Sequence, residues 1–286
     1  MPFEPRLLGR TGLQVGALGL SASYGAPADS VEYAFDRGVN YMYFGSMRRE
    51  GFAEGLRRLA PKRDRYALVI QSYSRLASLI PGSLDRALKR LNAEYADVLL
   101  LGMWGRTLPP RIVEICQRLK DRGRLRHLAV SVHKRSLVPT LAADPAYDIL
   151  HIRYNAKHTG AERDIFPHLP SVNRPGIVSF TSTSWGQLLS VKKTPKGERT
   201  PTATDCYRFV LTNPSIDLCM SGPSDMEQVR QAVQAIELGP MSGEEMSWMR
   251  RVGAYMYGGR TATAQATQRF RNHQSGSGRT ADSKAR

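Results

Sequence analysis

Short apolar runs recur along this chain, each followed by an amphipathic stretch, and that rhythm limits what it can fold into. Runs at about 17–21, 40–44, 66–72, 97–101, 127–132, 148–153, 176–180 and 216–220 have the length of strands. The segments between them carry apolar residues three and four apart, the spacing of a helix with one buried face. Strand followed by helix, repeated, specifies a parallel sheet covered by helices. Eight such units predict an α/β fold, the closed (β/α)8 TIM barrel, with functional groups at the C-terminal strand ends.

The intervening segments carry matching local signals. "SVEYAFDRG" sets Val31, Ala34 and Phe35 on one face and stops at Gly38. "GSLDRALKRLN" offers Ser83 as an N-cap and turns Leu84, Ala87, Leu88 and Leu91 inward. "PPRIVEICQRLKDRG" opens on proline, turns Ile112, Val113, Ile115, Cys116 and Leu119 inward and ends at Gly123. Two pieces fall outside the repeat. "RLLGRTGLQVGALG" places apolar runs around Thr11-Gly12 and predicts an N-terminal β-hairpin plugging the barrel, and "SGEEMSWMRRVGAYM" predicts an extra C-terminal helix.

A chain of 286 residues, 41% hydrophobic, is expected to form one domain over 1–258. The remainder, 259–286, is small, polar and basic with no apolar period, and is expected to be a disordered tail. No stretch approaches the ~20 apolar residues of a membrane span, and the first residues lack the apolar block of a secretory signal, so a soluble, cytoplasmic protein is expected. Cys116 and Cys219 sit in apolar patterns, and with Cys206 the three cysteines show no ligand or redox spacing; they read as small hydrophobes without chemistry. No metal site is expected, because His151 and His158 have no clustered carboxylate or cysteine beside them. Glu162 and Asp164 read as partners of a short helix. The net charge of +16 raises the question of an anionic partner. Some of it lies in the tail, and a denser run of Arg48, Arg49, Arg57, Arg58, Lys62, Arg63 and Arg65 around the second helix reads first as a solvated helix face.

Several stretches together resemble the aldo/keto reductases. "LLGRTGLQVGALGLSASYG" is similar to that family's opening hairpin and first strand, "GRLRHLAVSVH" to its fifth strand and "DILHIRYN" to its sixth. "VSFTSTSWGQLL" and "MSGPSDMEQVRQAVQAI" resemble its last two strands, and the likeness runs from about Leu7 to Gly253. The resemblance implies hydride transfer from NADPH to a small-molecule carbonyl. Protonation is then by a tyrosine with a neighbouring lysine and aspartate, and a histidine orients the carbonyl.

Carried over by position, those four places hold other residues. The aspartate's place after "GVNYM" is Tyr43, the tyrosine's is Arg48, the lysine's is Tyr73 and the histidine's, after "DVLLL", is Gly102. No shift of register restores them, since no aspartate lies between Asp36 and Asp64, no lysine between Lys62 and Lys89, and no histidine before His127. The cofactor places are better kept. Ser131 matches a serine that holds the nicotinamide amide, while Val132 and His151 stand where the family has asparagine and glutamine. Phe180 takes the place of the ring that stacks on the nicotinamide, Thr181 and Ser182 offer hydroxyls to the pyrophosphate, and Gly222 and Ser224 precede a helix N-terminus. Gln228 replaces the arginine that grips the 2′-phosphate.

Three functions are compatible with this pattern. The first is an NADP(H)-linked oxidoreductase whose proton donor is Tyr43 or Tyr73, with Arg48 stabilising a phenolate and His133 or His151 relaying protons. The second is a pseudoenzyme, a barrel that binds a nucleotide or small molecule without turnover. The third is a basic scaffold for nucleic acid or another anionic partner, which salt would weaken steeply.

Overall fold

In the computed structural model, which describes residues 1–45 and 47–258, the eight expected strands close into one parallel barrel. They are β3 (Leu18–Ser21), β4 (Tyr41–Phe44), β5 (Ala67–Ser72), β6 (Ala96–Trp104), β7 (Leu125–Val132), β8 (Ile149–Arg153), β9 (Gly176–Phe180) and β10 (Leu218–Ser221). They pair in chain order, and β10 returns to β3 to close the ring. The hairpin β1 (Arg6–Leu7) and β2 (Gln14–Val15) precedes them. Leu8 and Val15 enter the inner core beside Tyr41, Val69, Val98 and Leu218, so the hairpin does plug the barrel.

The helices are α1 (Ala28–Phe35), α2 (Glu50–Arg58), α3 (Ile80–Leu91), α4 (Pro110–Asp121), α5 (Val138–Ala143), α6 (Ala161–Asp164), α7 (Ala203–Leu211), α8 (Met226–Leu238) and the additional α9 (Gly243–Gly258). The faces expected to be buried on α1 and α3 are buried, and on α4 Ile112, Cys116 and Leu119 are. Gly38 and Gly123 take the left-handed conformation that ends those turns, at φ 84° and 69°. The expected start of α3 is displaced. Pro81 fits the first helical turn, so the helix begins at Ile80 and Ser83 lies inside it rather than capping it. The tail at 259–286 lies outside the described residues.

Strand alternation sorts side chains between two cores. On β4, Met42 and Phe44 pack outward under the helices, whereas Tyr41 and Tyr43 point into the lumen. The lower rim is sealed by a repeated polar device. Asp97, Asp148 and Asp217, at or just before β6, β8 and β10, accept the amides of Leu68, Leu128 and Ile177 in the preceding strand at 2.7–2.8 Å. Asn40, just before β4, does the same for Gly16 at 2.9 Å. Each carboxylate also holds a cation: Arg63 and Arg126 at Asp97, Lys120 at Asp148, and Arg174 at Asp217.

Candidate functional site

The upper end of the barrel opens into a cleft of about 1220 Å³. It runs from Tyr43, Tyr73 and His133 over the lumen, past Phe180, to Gly222 and Gln228 at the start of α8. Every residue expected at the site from sequence lines it except Ser224: Tyr43, Arg48, Tyr73, Ser131, His133, His151, Phe180, Thr181, Ser182, Gly222 and Gln228 are all on its walls. Ser224 is exposed and engaged locally, its amide donating to Gln228 Oε1 at 3.1 Å and its hydroxyl to Asp225.

At the lumen end Tyr43 is largely buried, whereas Tyr73 is half exposed. Burial, then the neighbouring Tyr73 phenol, push the Tyr43 hydroxyl far above the ordinary tyrosine range, while the adjacent Ser23 hydroxyl works the other way. Arg48 is exposed, in the left-handed conformation at φ 46°, and has no part in that shift. The expected phenolate supported by Arg48 is therefore not what the geometry provides; Tyr43 stays protonated through the neutral range. The cause is the apolar wall around the ring, which disfavours the charged form.

Tyr73 explains the glycine opposite it. A Cβ on Gly102 would fall 2.5 Å from Tyr73 Cε1 and 3.0 Å from Gln71 Nε2, so the phenol ring fills the space that a side chain at 102 would need. Strand β6 bends here, with a register shift between Leu101 and Trp104, and Met103 sits at φ 58°. The Met103 amide donates to Ser131 Oγ at 2.7 Å, which ties the bend to β7.

Beneath Tyr43 lies a pair that sequence reasoning missed. The Tyr41 hydroxyl and His151 Nε2 are 3.0 Å apart, both residues fully buried. Burial pushes the imidazole down to about 3, which keeps it neutral through the neutral range, and it drives the phenol up. Burial disfavours the charged form that a proton relay through His151 needs, and together the two groups form an uncharged floor. His133 is more open, with its ring edge-on to Phe180 at 5.2 Å, and desolvation followed by the Arg153 charge lowers its pKa.

At the far end, Gly222 lies under Tyr24, whose ring would meet a Cβ there at 2.6 Å. Between the two ends, Thr181, Ser184 and Trp185 are left-handed at φ 60°, 52° and 54°, a concentration of strain typical of loops shaped around a ligand. The Ser182 hydroxyl is turned inward, 2.9 Å from Cys219 Sγ. At the start of α8 the Gln228 amide is satisfied from within, donating to Asp225 Oδ1 at 2.9 Å. Asp225 and Glu227 also line this end of the cleft.

A dinucleotide fits most of this arrangement. The strained loop at 181–185 and the aromatic wall at Phe180 suit its length and its flat ring. The two carboxylates beside α8 oppose a 2′-phosphate at that end.

The remaining sequence expectations resolve locally. Of the basic run, Arg57, Arg58, Lys62 and Arg63 pair with Glu54, Asp29, Asp36 and Asp97. Cys116, Cys206 and Cys219 are buried thiols, and burial pushes Cys116 and Cys219 up to about 12. Glu162 binds Arg250 and Tyr154, and Asp164 binds Arg135. No described helix is long and apolar enough to cross a membrane.

Comparison with known proteins places this cleft in context. L-galactose dehydrogenase of Arabidopsis thaliana is 24% identical over 82% of this chain and 88% of its own length. An aldo-keto reductase from Bacillus halodurans superposes with a TM-score of 0.70 at 19% identity, covering 87% of this chain and 96% of the other. An aldo/keto reductase from Klebsiella pneumoniae, solved in complex with NADP and acetate, does so at 0.70 and 20% identity over 88% and 96%. The profile of the Aldo/keto reductase family matches residues 27–198, more than half of the sequence. The chain belongs to the aldo/keto reductase family.

Proposed function

We propose that this protein binds NADP(H) along the cleft and is an oxidoreductase in which Tyr43 donates the proton to a small carbonyl substrate. The observation that carries the reading is the continuity of the cleft from Gly222 and Gln228, past Phe180, to a buried, protonated phenol. Phe180 would face the nicotinamide, Ser131 and His151 its amide, and Thr181 the pyrophosphate. When bound, the cofactor supplies hydride. Tyr43 supplies a hydrogen bond and then a proton at its hydroxyl. An alkoxide is a stronger base than a phenolate, so a phenol of raised pKa still protonates it, but with less help to the transition state than one near neutrality. His133, mostly neutral at pH 7, orients from the rim, and Tyr73 and Arg48 shape the substrate side.

A second reading, a pseudoenzyme that binds nucleotide without turnover, is supported by one feature of the lumen end. Among the described residues that line the cleft there is no lysine, and its carboxylates, Asp225 and Glu227, stand at the α8 end. The basic-scaffold reading draws less support, because most of the run around α2 is already paired.

NADPH oxidation against a panel of aldehydes and ketones separates the two readings. Slow turnover is expected, flat with pH across the neutral range because Tyr43 stays protonated. It should fall by about tenfold or more in Tyr43→Phe. Turnover unchanged in Tyr43→Phe would remove Tyr43 as donor. NADPH binding with no turnover on any carbonyl would favour the pseudoenzyme.

A further inference from the structure

A second cavity of about 460 Å³ lies beside the cleft, between the ends of β4 and β5 and the side of α3. Gln71 and Tyr73 line both spaces and form the wall between them. The floor is apolar, from Phe44 and Ala87, and Ser72 and Ser83 also line it, the Ser72 hydroxyl accepting the Ser74 amide at 3.3 Å. Three guanidinium groups, Arg49, Arg86 and Arg90, complete it, and its lining contains no carboxylate.

Three like charges gathered around one small space repel each other unless an anion joins them. Among the described residues only Arg90 of the three has an ion pair, with the exposed Glu50. Arg49 donates to the carbonyl of Gly45 at 3.3 Å and lies over the Phe44 ring at 5.0 Å, which fixes its direction without neutralising it. Planar guanidinium forks and serine hydroxyls on an apolar floor are the donors that a phosphate or carboxylate takes, and they offer a cation nothing.

We propose that this cavity is an oxoanion site for the phosphate or carboxylate group of a small molecule, with Arg49 and Arg86 as its donors and Glu50 as a built-in competitor for Arg90. Two of the three arginines act on Glu50. The Arg90 hydrogen bond holds that carboxyl below the usual range, and the Arg49 and Arg57 charges act in the same direction. A ligand seated here touches the ring that covers Gly102, so its chemistry would select what reaches the cleft. The proposal does not depend on NADP(H) binding.

Calorimetric titration of the full-length chain with inorganic phosphate, and separately with acetate, at ionic strength held constant with sodium chloride, tests it. Saturable binding of phosphate is expected, about tenfold weaker in Arg86→Ala and several-fold tighter in Glu50→Gln, where Arg90 is released. Acetate binding with the same response to both variants, and no phosphate binding, would support the site and assign it to carboxylates. No saturable binding of either anion would overturn the proposal, as would binding that survives the joint Arg49→Ala and Arg86→Ala change, since the anion would then sit elsewhere. Both arginines lie outside the dinucleotide cleft, so NADPH titrations of these variants distinguish failure here from failure of the cofactor reading.

Discussion

The two ends of the barrel use ionisable groups in opposite ways. At the closed end, Asp97, Asp148 and Asp217 are buried or nearly so, and each is saturated by a strand amide and a cation. At the open end, Tyr41, Tyr43 and His151 are held neutral by burial, Arg48 lies exposed at the rim, and the acids stand apart beside α8. At the closed end charge joins strands, whereas the charged side chains of the cleft, Arg48, Asp225 and Glu227, stand at its margins. Ion pairs thus secure the scaffold here, whereas the open end relies on buried uncharged groups with a few charges at its margins.

The comparison can be broken most readily at the closed end. Asp217→Ala strands Arg174 and leaves the Ile177 amide without its acceptor, and breaking a buried pair from one side costs about 3–5 kcal/mol. Chemical denaturation should register a loss near the lower figure, since Arg174 is partly open to solvent. A loss below 1 kcal/mol, within the range of exposed ion pairs, would mean that the rim device is ornamental.

In the lumen, His151 makes stability depend on pH. Its folded value lies near 3 against an ordinary 6.5, because the site excludes charge. Above about pH 6.5 the imidazole is neutral in both states and contributes no slope. As pH falls below that value the unfolded chain takes up a proton that the folded chain refuses, so stability declines by about 1.4 kcal/mol per pH unit from this group, toward its folded value. Denaturation midpoints from pH 7 to 4 should show His151→Gln with a shallower acid slope than the parent. Equal slopes would show that the floor is not neutral.

Smaller effects sharpen the contrast at the open end. Glu227→Gln removes one of the carboxylates facing the α8 end and should tighten NADPH several-fold, about 1 kcal/mol, while leaving NADH nearly unchanged. Equal gains for both nucleotides would move the 2′-phosphate away from this position. Gly102→Ala should cost about 1 kcal/mol or less, because Tyr73 is half exposed and can swing aside. Combined with Tyr73→Ala, the penalty should vanish in a double-mutant cycle.

How much of this was legible in the sequence differs between the same two ends. The strands were, because each is an uninterrupted apolar run with helical spacing after it, and they appear within one to three residues of where that pattern puts them. The position of the cleft followed from the same pattern, since residues just after strand ends must converge at one rim. What was not legible depends on contacts across the closed ring. Tyr41 and His151 lie far apart in the chain, and only barrel closure makes them partners. The Tyr73 ring over Gly102 is a pairing of neighbouring strands that a glycine in a strand does not announce. A single aspartate or asparagine before a strand reads as a turn residue, so the repeated rim device was hidden in plain residues. Ser83 looked like a cap only because the stronger signal, Pro81, stood two residues earlier.

If the cleft is the cofactor site proposed above, it must accept a dinucleotide. Isothermal titration of NADPH into the purified full-length protein tests this most directly. Saturable one-to-one binding, weakened by about tenfold or more when Phe180 is replaced by alanine, is the expected result. No saturable heat with NADPH or NADP⁺ at any concentration reached would contradict it, and the open end of the barrel would then have to be explained without a nucleotide.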